Sequence, residues 1–523
     1  LGSNLSPFTF NWRAIPIRGM SLSPNQSYVH LITSLRQIAL LQSTGSVLGW
    51  DERTNLPSKG APHRADQISL LARMAHEQFT SPLINELLDA VAGSDMALDP
   101  LSDAAVNIRE TRRSYDRARK LPSSLVQAIS HTASMAESAW VDARKQSNYR
   151  SFEPWLQKML KLKQEEAACL GHTGNPYDAL LDEFEPGETA AQIRAVFDDL
   201  RPRLVGLIQR VAGSSRRAPV EVLAGHYPRY RQEQLSSAAA AAIGFDFSAG
   251  RIDVSAHPFC TELGPGDTRI TTRYDESDFT GSFFGVMHET GHALYNQGLP
   301  PEHWGTPRGS YISLGIHESQ SRLWENLVGR TRSFWRFFLL KSQQTFPSLA
   351  KVNEDEFAFA INEIRPSLIR TESDEATYNL HIMLRFDLEQ AMLRGDLSAH
   401  DLPDAWNERM KRDLGVSPPN DAQGCLQDIH WAGGAIGYFP TYTLGNIYAS
   451  QLFRQAGKEL GDLPAMFAAG EFAPLLNWLR RNIHAKGQIY TARQLISDLT
   501  GDSLSAAPLM EHLGQKASNY YGV

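Results

Sequence analysis

Cysteine is scarce: three residues, Cys169, Cys260 and Cys425, stand far apart with no C-x-x-C pair. That spacing excludes a disulfide framework and a thiolate zinc cluster, and it points to a reducing, cytoplasmic setting. Positive charge is in deficit, with a net charge of −7, which argues against nucleic acid or an anionic membrane as the main partner. No apolar run approaches the roughly 18 residues of a membrane span; the alanine tract Ala238–Ala242 is far too short. Internal repeats, low-complexity segments and long linkers are also missing. The first twenty residues contain Arg13 and Arg18 but no acid and no continuous apolar stretch, so they do not read as a secretory signal. Residues 1–24 are expected to be a leader, either appended or upstream of a true start at Met20, with a weak transit peptide as the alternative.

Helical periodicity is plentiful. Leu31, Leu35, Ile38 and Leu41 recur at helical spacing, and Ile68, Leu71 and Met74 form a second such stripe; the pattern predicts long helices from about Asn25 to Val211. Residues 219–265 are punctuated by glycine and proline and less periodic. Thr268–Tyr274 is rich in β-branched residues and predicts a strand. That strand is either the lip of a cleft, where a peptide can add as a further strand, or an ordinary hairpin. Beyond Pro307 the chain returns to helices. The expected fold is mainly α, with residues 25–523 forming a single elongated helical domain that has a deep central groove and one small β-sheet.

The stretch His288-Glu289-Thr290-Gly291-His292 carries the chemistry. Positions four apart on a helix lie on one face, about 6 Å apart along the axis, so His288 and His292 can bind one metal. Glu289 then stands beside that face, where it can take a proton from the water that the ion activates. Two histidines leave tetrahedral zinc one protein ligand short, with the fourth place kept for water. A second predicted helical segment, Ser313 to Phe338, contains His317 and Glu318. Glu318 is the expected third ligand and His317 its competitor, because two histidines and a glutamate are the commoner hydrolytic set. Glu325, seven residues on, is either an acceptor for a ligand histidine or a surface ion-pair partner.

Several longer motifs surround this core. They are Trp50–Thr54, Asp253–Phe259, Thr268–Tyr274, His317–Gln320, Ile369–Asp374, Gly424–Trp431 and Gly437–Tyr442. In this order they resemble the carboxypeptidase Taq family of metallocarboxypeptidases over roughly residues 25 to 520. Ser373 departs from the family pattern, which has alanine there, and Thr268 stands where valine is usual. The resemblance implies a fold similar to neurolysin and angiotensin-converting enzyme, and a homodimer. It implies release of single C-terminal residues from peptides with a free C-terminus, with broad tolerance but poor action on proline. One zinc per subunit is expected, with cobalt or manganese as substitutes.

Peptide hydrolysis also needs an oxyanion donor and a grip on the substrate. His430 with Tyr442, or with Tyr438 as second choice, offers the first, in an arrangement similar to neurolysin-like peptidases. Arg370 is the family-matched candidate for the terminal carboxylate, since a planar guanidinium holds both oxygens at once. Arg365 and Arg385 are alternatives, and an ion pair of Arg370 with Asp374 at i+4 is the competing structural role. His257 is a candidate for lining the pocket of the departing residue, or for fixing the Pro258 turn. Two other functions stay open at this point: an oligopeptidase cutting internally, and a non-catalytic peptide-binding relative.

Overall fold

The computed structural model describes residues 22–523; most of the expected leader, residues 1–21, lies outside the described residues. Among these residues the chain forms twenty α-helices and one three-stranded sheet. The first helix, α1 (Pro24–Thr54), starts on a capping box. The Ser23 hydroxyl accepts from the Gln26 backbone, and the Gln26 side chain accepts from the Ser23 N–H; two of the orphan N–H groups of a helix start are thereby satisfied. Leu31, Leu35 and Ile38 are buried, as their spacing predicts. The second stripe behaves differently. Met74 is exposed, and Ile68 and Leu71 are only half-buried, because the helix Ala61–Phe79 packs on α1 at the edge of the molecule. The N-terminal helices share a small core of their own, in which α1 meets Ile84, Leu87, Leu88 and Tyr115. The remaining helices enclose one large core.

The sheet consists of β1 (Gly250–Val254), β2 (Cys260–Gly264) and β3 (Asp267–Thr272) in the order β1-β3-β2. Strand β3 runs parallel to β1 and antiparallel to β2. This corrects the expectation that Thr268–Tyr274 forms a cleft lip: with both of its ladders used, β3 has no free edge to offer a peptide. The free edges belong to β1 and β2, two short strands in the segment whose periodicity gave no strand signal. Part of the β2 edge is covered, since the Ser43 hydroxyl of α1 donates to the Leu263 carbonyl.

Helix α2 (Phe279–Gly298) carries the His288–His292 stretch and is capped by Asp278, which accepts from the N–H groups of Thr280 and Gly281. Val286 and Ala293 clamp it to Ile270 of β3. The segment expected as one helix from Ser313 to Phe338 divides into three. It comprises α3 (Leu314–Arg322), a π-helical stretch Leu323–Gly329, and a further helix Arg332–Thr345. Two more helices complete the surroundings, α4 (Tyr378–Arg394) and α5 (Pro440–Leu460). Helix α3 lies between α2 and α5.

Candidate metal centre and the groove around it

Helices α2 and α3 bring three donors to one point. Oε2 of Glu318 lies 3.6 Å from Nε2 of His288 and 3.3 Å from Nε2 of His292. Among the described residues these three form the group able to hold an ion, their ligand atoms all within 4.8 Å of one another. The set of two imidazoles and one carboxylate fits a hydrolytic zinc site.

The outer ring nitrogens are held as ligands require. Nδ1 of His288 lies 2.9 Å from Oε2 of Glu325, an acceptor that leaves Nε2 free for a metal. Nδ1 of His292 lies 2.5 Å from Nδ1 of His317, whose Nε2 is 2.9 Å from Oδ1 of Asn296. Only one proton order satisfies that chain: His292 donates to His317, and His317 donates to the Asn296 carbonyl oxygen. His317, the competitor for third ligand, therefore supports His292 from behind. Burial, reinforced by His292, holds its pKa well below the ordinary value, which keeps it neutral. Glu325→Ala is expected to weaken metal binding by about ten- to a hundredfold; competition with a chelating dye measures it.

Glu318 is buried, yet its carboxyl stays well below the usual range. Burial works against ionisation there, but Arg322 and His288 outweigh it. Nε of Arg322 donates to Oε1 at 2.6 Å. Beside the cluster, the Glu289 carboxyl takes no hydrogen bond from the described residues. Burial pushes it up, partly offset by His288 and His292.

Glu185 anchors the start of α3. It accepts from the backbone N–H of Gly315, while the Ser313 hydroxyl accepts from Ile316 at 3.1 Å. Burial pushes the Glu185 carboxyl up to about 8 from an ordinary 4.5. The folded chain therefore holds this proton more tightly than the unfolded one. Its contribution is fully present below pH 4.5 and is lost as pH rises through about 8. Glu185→Gln, which cannot ionise, is expected to flatten the fall in melting temperature between about pH 5 and 8, read by calorimetric scans.

The oxyanion candidates sit together on the loop before α5 and on its first turn. Nε2 of His430 is 3.3 Å from the Tyr442 hydroxyl, and the Tyr438 ring packs edge-on against Tyr442. Burial, with Arg370 and Arg385 adding to it, holds His430 down at about 3, so the imidazole is neutral. Burial pushes Tyr438 up to about 12 and Tyr442 well above its ordinary value, so both phenols keep the proton a donor needs. Glu389 ties this loop down, accepting from Trp431 Nε1 at 2.8 Å and from the Gly437 N–H at 3.2 Å.

Arg370 lies in a short 3-10 turn, Arg370–Glu372, and its partner is Asp428 rather than Asp374. Nε and Nη2 reach Oδ1 of Asp428 at 3.0 and 2.8 Å, and Nη1 donates to the Tyr378 hydroxyl at 2.8 Å. Asp374 instead accepts from the backbone of Arg365, Ala376 and Thr377. Arg385 holds the other oxygen of Asp428 and is fully buried, while Arg365 points to solvent beside Glu363. Each terminal nitrogen of Arg370 keeps one N–H beyond these contacts. His257 is exposed ahead of β2, and partial burial with Arg273 and Arg370 nearby keeps its pKa low.

Sequence reasoning missed Tyr378, Asp428 and Asn296 as members of the site. Asn296 was findable as the next turn of the His288–His292 face. Arg322, at i+4 from Glu318, carries the usual signal of an acid–base pair on a helix. Nothing local marks Tyr378.

Two imidazoles and a carboxylate on crossing helices, with a free carboxylate beside them, are the parts of a metallohydrolase centre. The Carboxypeptidase Taq (M32) metallopeptidase model matches residues 30–517, and the chain belongs to that family. It is 48% identical to Thermostable carboxypeptidase 1 of Thermus thermophilus over 510 residues, covering 96% of this chain and 100% of that protein. Carboxypeptidase 1 of Bacillus subtilis is 37% identical over 489 residues, covering 93% of this chain and 97% of its own length. The crystal structure of an M32 carboxypeptidase from Deinococcus radiodurans superposes with a TM-score of 0.91 at 39% identity, covering 95% of this chain and 100% of that one. The protein is thus a peptide hydrolase with a mainly helical fold. No helix among the described residues is long and apolar enough to cross a membrane.

Proposed function

We propose that the protein is a zinc-dependent carboxypeptidase that removes single residues from the free C-terminus of peptides. The observation that carries this reading is the convergence of His288, His292 and Glu318 on one point, within 4.8 Å, with Glu289 beside it and otherwise unengaged. A zinc ion bound there supplies Lewis acidity, polarising the scissile carbonyl and making water easier to deprotonate. Glu289 takes the proton of the attacking water and returns it to the departing amine. Tyr442, aligned by His430, donates to the oxygen that gains charge, and Tyr438 is the alternative donor. Arg370 offers its two remaining terminal N–H groups to the substrate carboxylate, and His257 lines the pocket of the departing residue. Proline is a poor leaving residue in this scheme, because its nitrogen carries no hydrogen to hold in the bound peptide. Cobalt or manganese substitution, a homodimer and a cytoplasmic location belong to the same reading; three free cysteines support the last.

The test is an N-blocked peptide ladder assayed with and without chelator. Stepwise loss of C-terminal residues that stops on chelation supports the reading. Equal cleavage of C-terminally amidated peptides overturns it in favour of an oligopeptidase.

A further inference from the structure

Glu262 is a carboxylate that the chemistry above does not use. It lies on β2 opposite Thr268 of β3, two residues after Cys260, so the two side chains share a face of the sheet. That face turns toward α2, because the Cys260 sulfur accepts from the Asn296 side chain and packs against the cluster that holds Val286 and Ala293. Two cavities, of about 260 and 440 Å³, meet at Glu262, Gly264 and Trp304. The larger is walled by Leu35, Ile38 and Gln42 of α1. Asn296 lines the smaller one, and it stands one helical turn beyond His292. The backbone of Asn296 is thus about 6 Å along the helix from that of a metal-ligand candidate.

Among the described residues no hydrogen bond or ion pair reaches the Glu262 carboxylate, although its backbone pairs with β3. Arg480, which lines the smaller cavity, makes no ion pair with it. Burial alone pushes the carboxyl up to about 7. Glu262 is half-buried, and an acid partly withdrawn from water without a partner is stabilised by a ligand that supplies one.

Direction along β2 says which part of a peptide would arrive there. His257, ahead of the strand, feels the charges of Arg273 first and then of Arg370. Cys260 feels that of Glu289. Glu262 lies further along, away from the carboxylate end. We propose that Glu262 forms a subsite for a cationic group of the substrate on the N-terminal side of the cleaved bond. This rests on the carboxypeptidase reading, with Arg370 and His257 at the C-terminal end. The shared chemistry is an ammonium or guanidinium group, carried either by a lysine or arginine side chain or by the free amino terminus of a short peptide.

The test compares kcat/KM of the wild-type and Glu262→Gln holoenzymes. One substrate set is acetyl-capped, with lysine or norleucine at each of the three positions before the cleaved bond. The other is uncapped norleucine peptides of graded length. In the wild type one register of positive charge is expected to raise kcat/KM about tenfold, the ratio typical of one charge-assisted contact. In Glu262→Gln that ratio falls to near one. A gain confined to lysine peptides assigns the subsite to a side chain, and one confined to uncapped peptides assigns it to the amino terminus. An unchanged ratio in Glu262→Gln, including a parallel loss on every peptide from a disturbed fold, overturns the subsite, as does the absence of any preference in the wild type. Calorimetric titration of the lysine peptide into Glu289→Gln, with and without Glu262→Gln, separates this from failure of the carboxypeptidase reading. Weaker binding in the double variant supports a cation subsite even if C-terminal release is not the reaction, and equal binding removes it.

Discussion

A Glu289→Gln enzyme will keep its metal and lose about a hundred- to ten-thousandfold in kcat, the range a positioned general base contributes. The amide is nearly isosteric with the acid, and the proposed ligand atoms belong to His288, His292 and Glu318, so metal content and melting temperature should change little. The Glu289 side chain forms no hydrogen bond with the described residues, which makes this a clean removal of proton-accepting capacity. Metal analysis beside steady-state rates on a blocked dipeptide checks both halves. Activity within threefold of the parent would mean that another group deprotonates the water, and lost metal would mean that Glu289 supports the ligands.

Gly291→Ala will damage the centre by a different route. Helices α2 and α3 touch at this residue: a Cβ there would fall 2.5 Å from the Gln320 carbonyl oxygen and 2.5 Å from Cα of Ser321. Both are backbone atoms of α3, so no rotamer change relieves the clash. The helices must part, and Glu318 moves with α3 away from the two histidines on α2. Overpacking of this kind costs about 1–3 kcal/mol. A lower melting temperature with at least tenfold weaker metal binding is expected. On the opposite side of α3, a Cβ on Gly445 of α5 would meet the Glu318 side chain itself at 2.5 Å. The ligand helix is therefore hemmed in on both flanks by missing side chains.

Such contacts explain what could and could not be read from the amino-acid order. His288 and His292 were legible because four-residue spacing on a helix fixes their common face without tertiary knowledge. Glu318 was legible by type and distance, and it is brought to the histidines by packing at Gly291. The π-helical stretch Leu323–Gly329 left no local mark, although Glu325 within it reaches His288. Strands β1 and β2 were missed because they are five residues each and lack a clean alternation of buried and exposed positions. The Arg370 partner was misjudged for a related reason. Asp374 is near in sequence, but Asp428 lies 58 residues away, and only the fold makes it adjacent. Ser373, a departure from the family pattern, is accommodated by hydrogen bonds to Ser367 and to the Ile369 carbonyl.

The ion pair between Arg322 and Glu318 bears on denticity. With Oε1 engaged by the guanidinium at 2.6 Å, Oε2 is the oxygen that faces both His288 and His292 and would meet an incoming cation first. Chelation by both oxygens would crowd the coordination sphere and close the vertex that a reacting carbonyl must enter. By engaging Oε1, Arg322 would favour one-point attachment of a bound ion through Oε2, which would leave that ion open to a water or substrate oxygen.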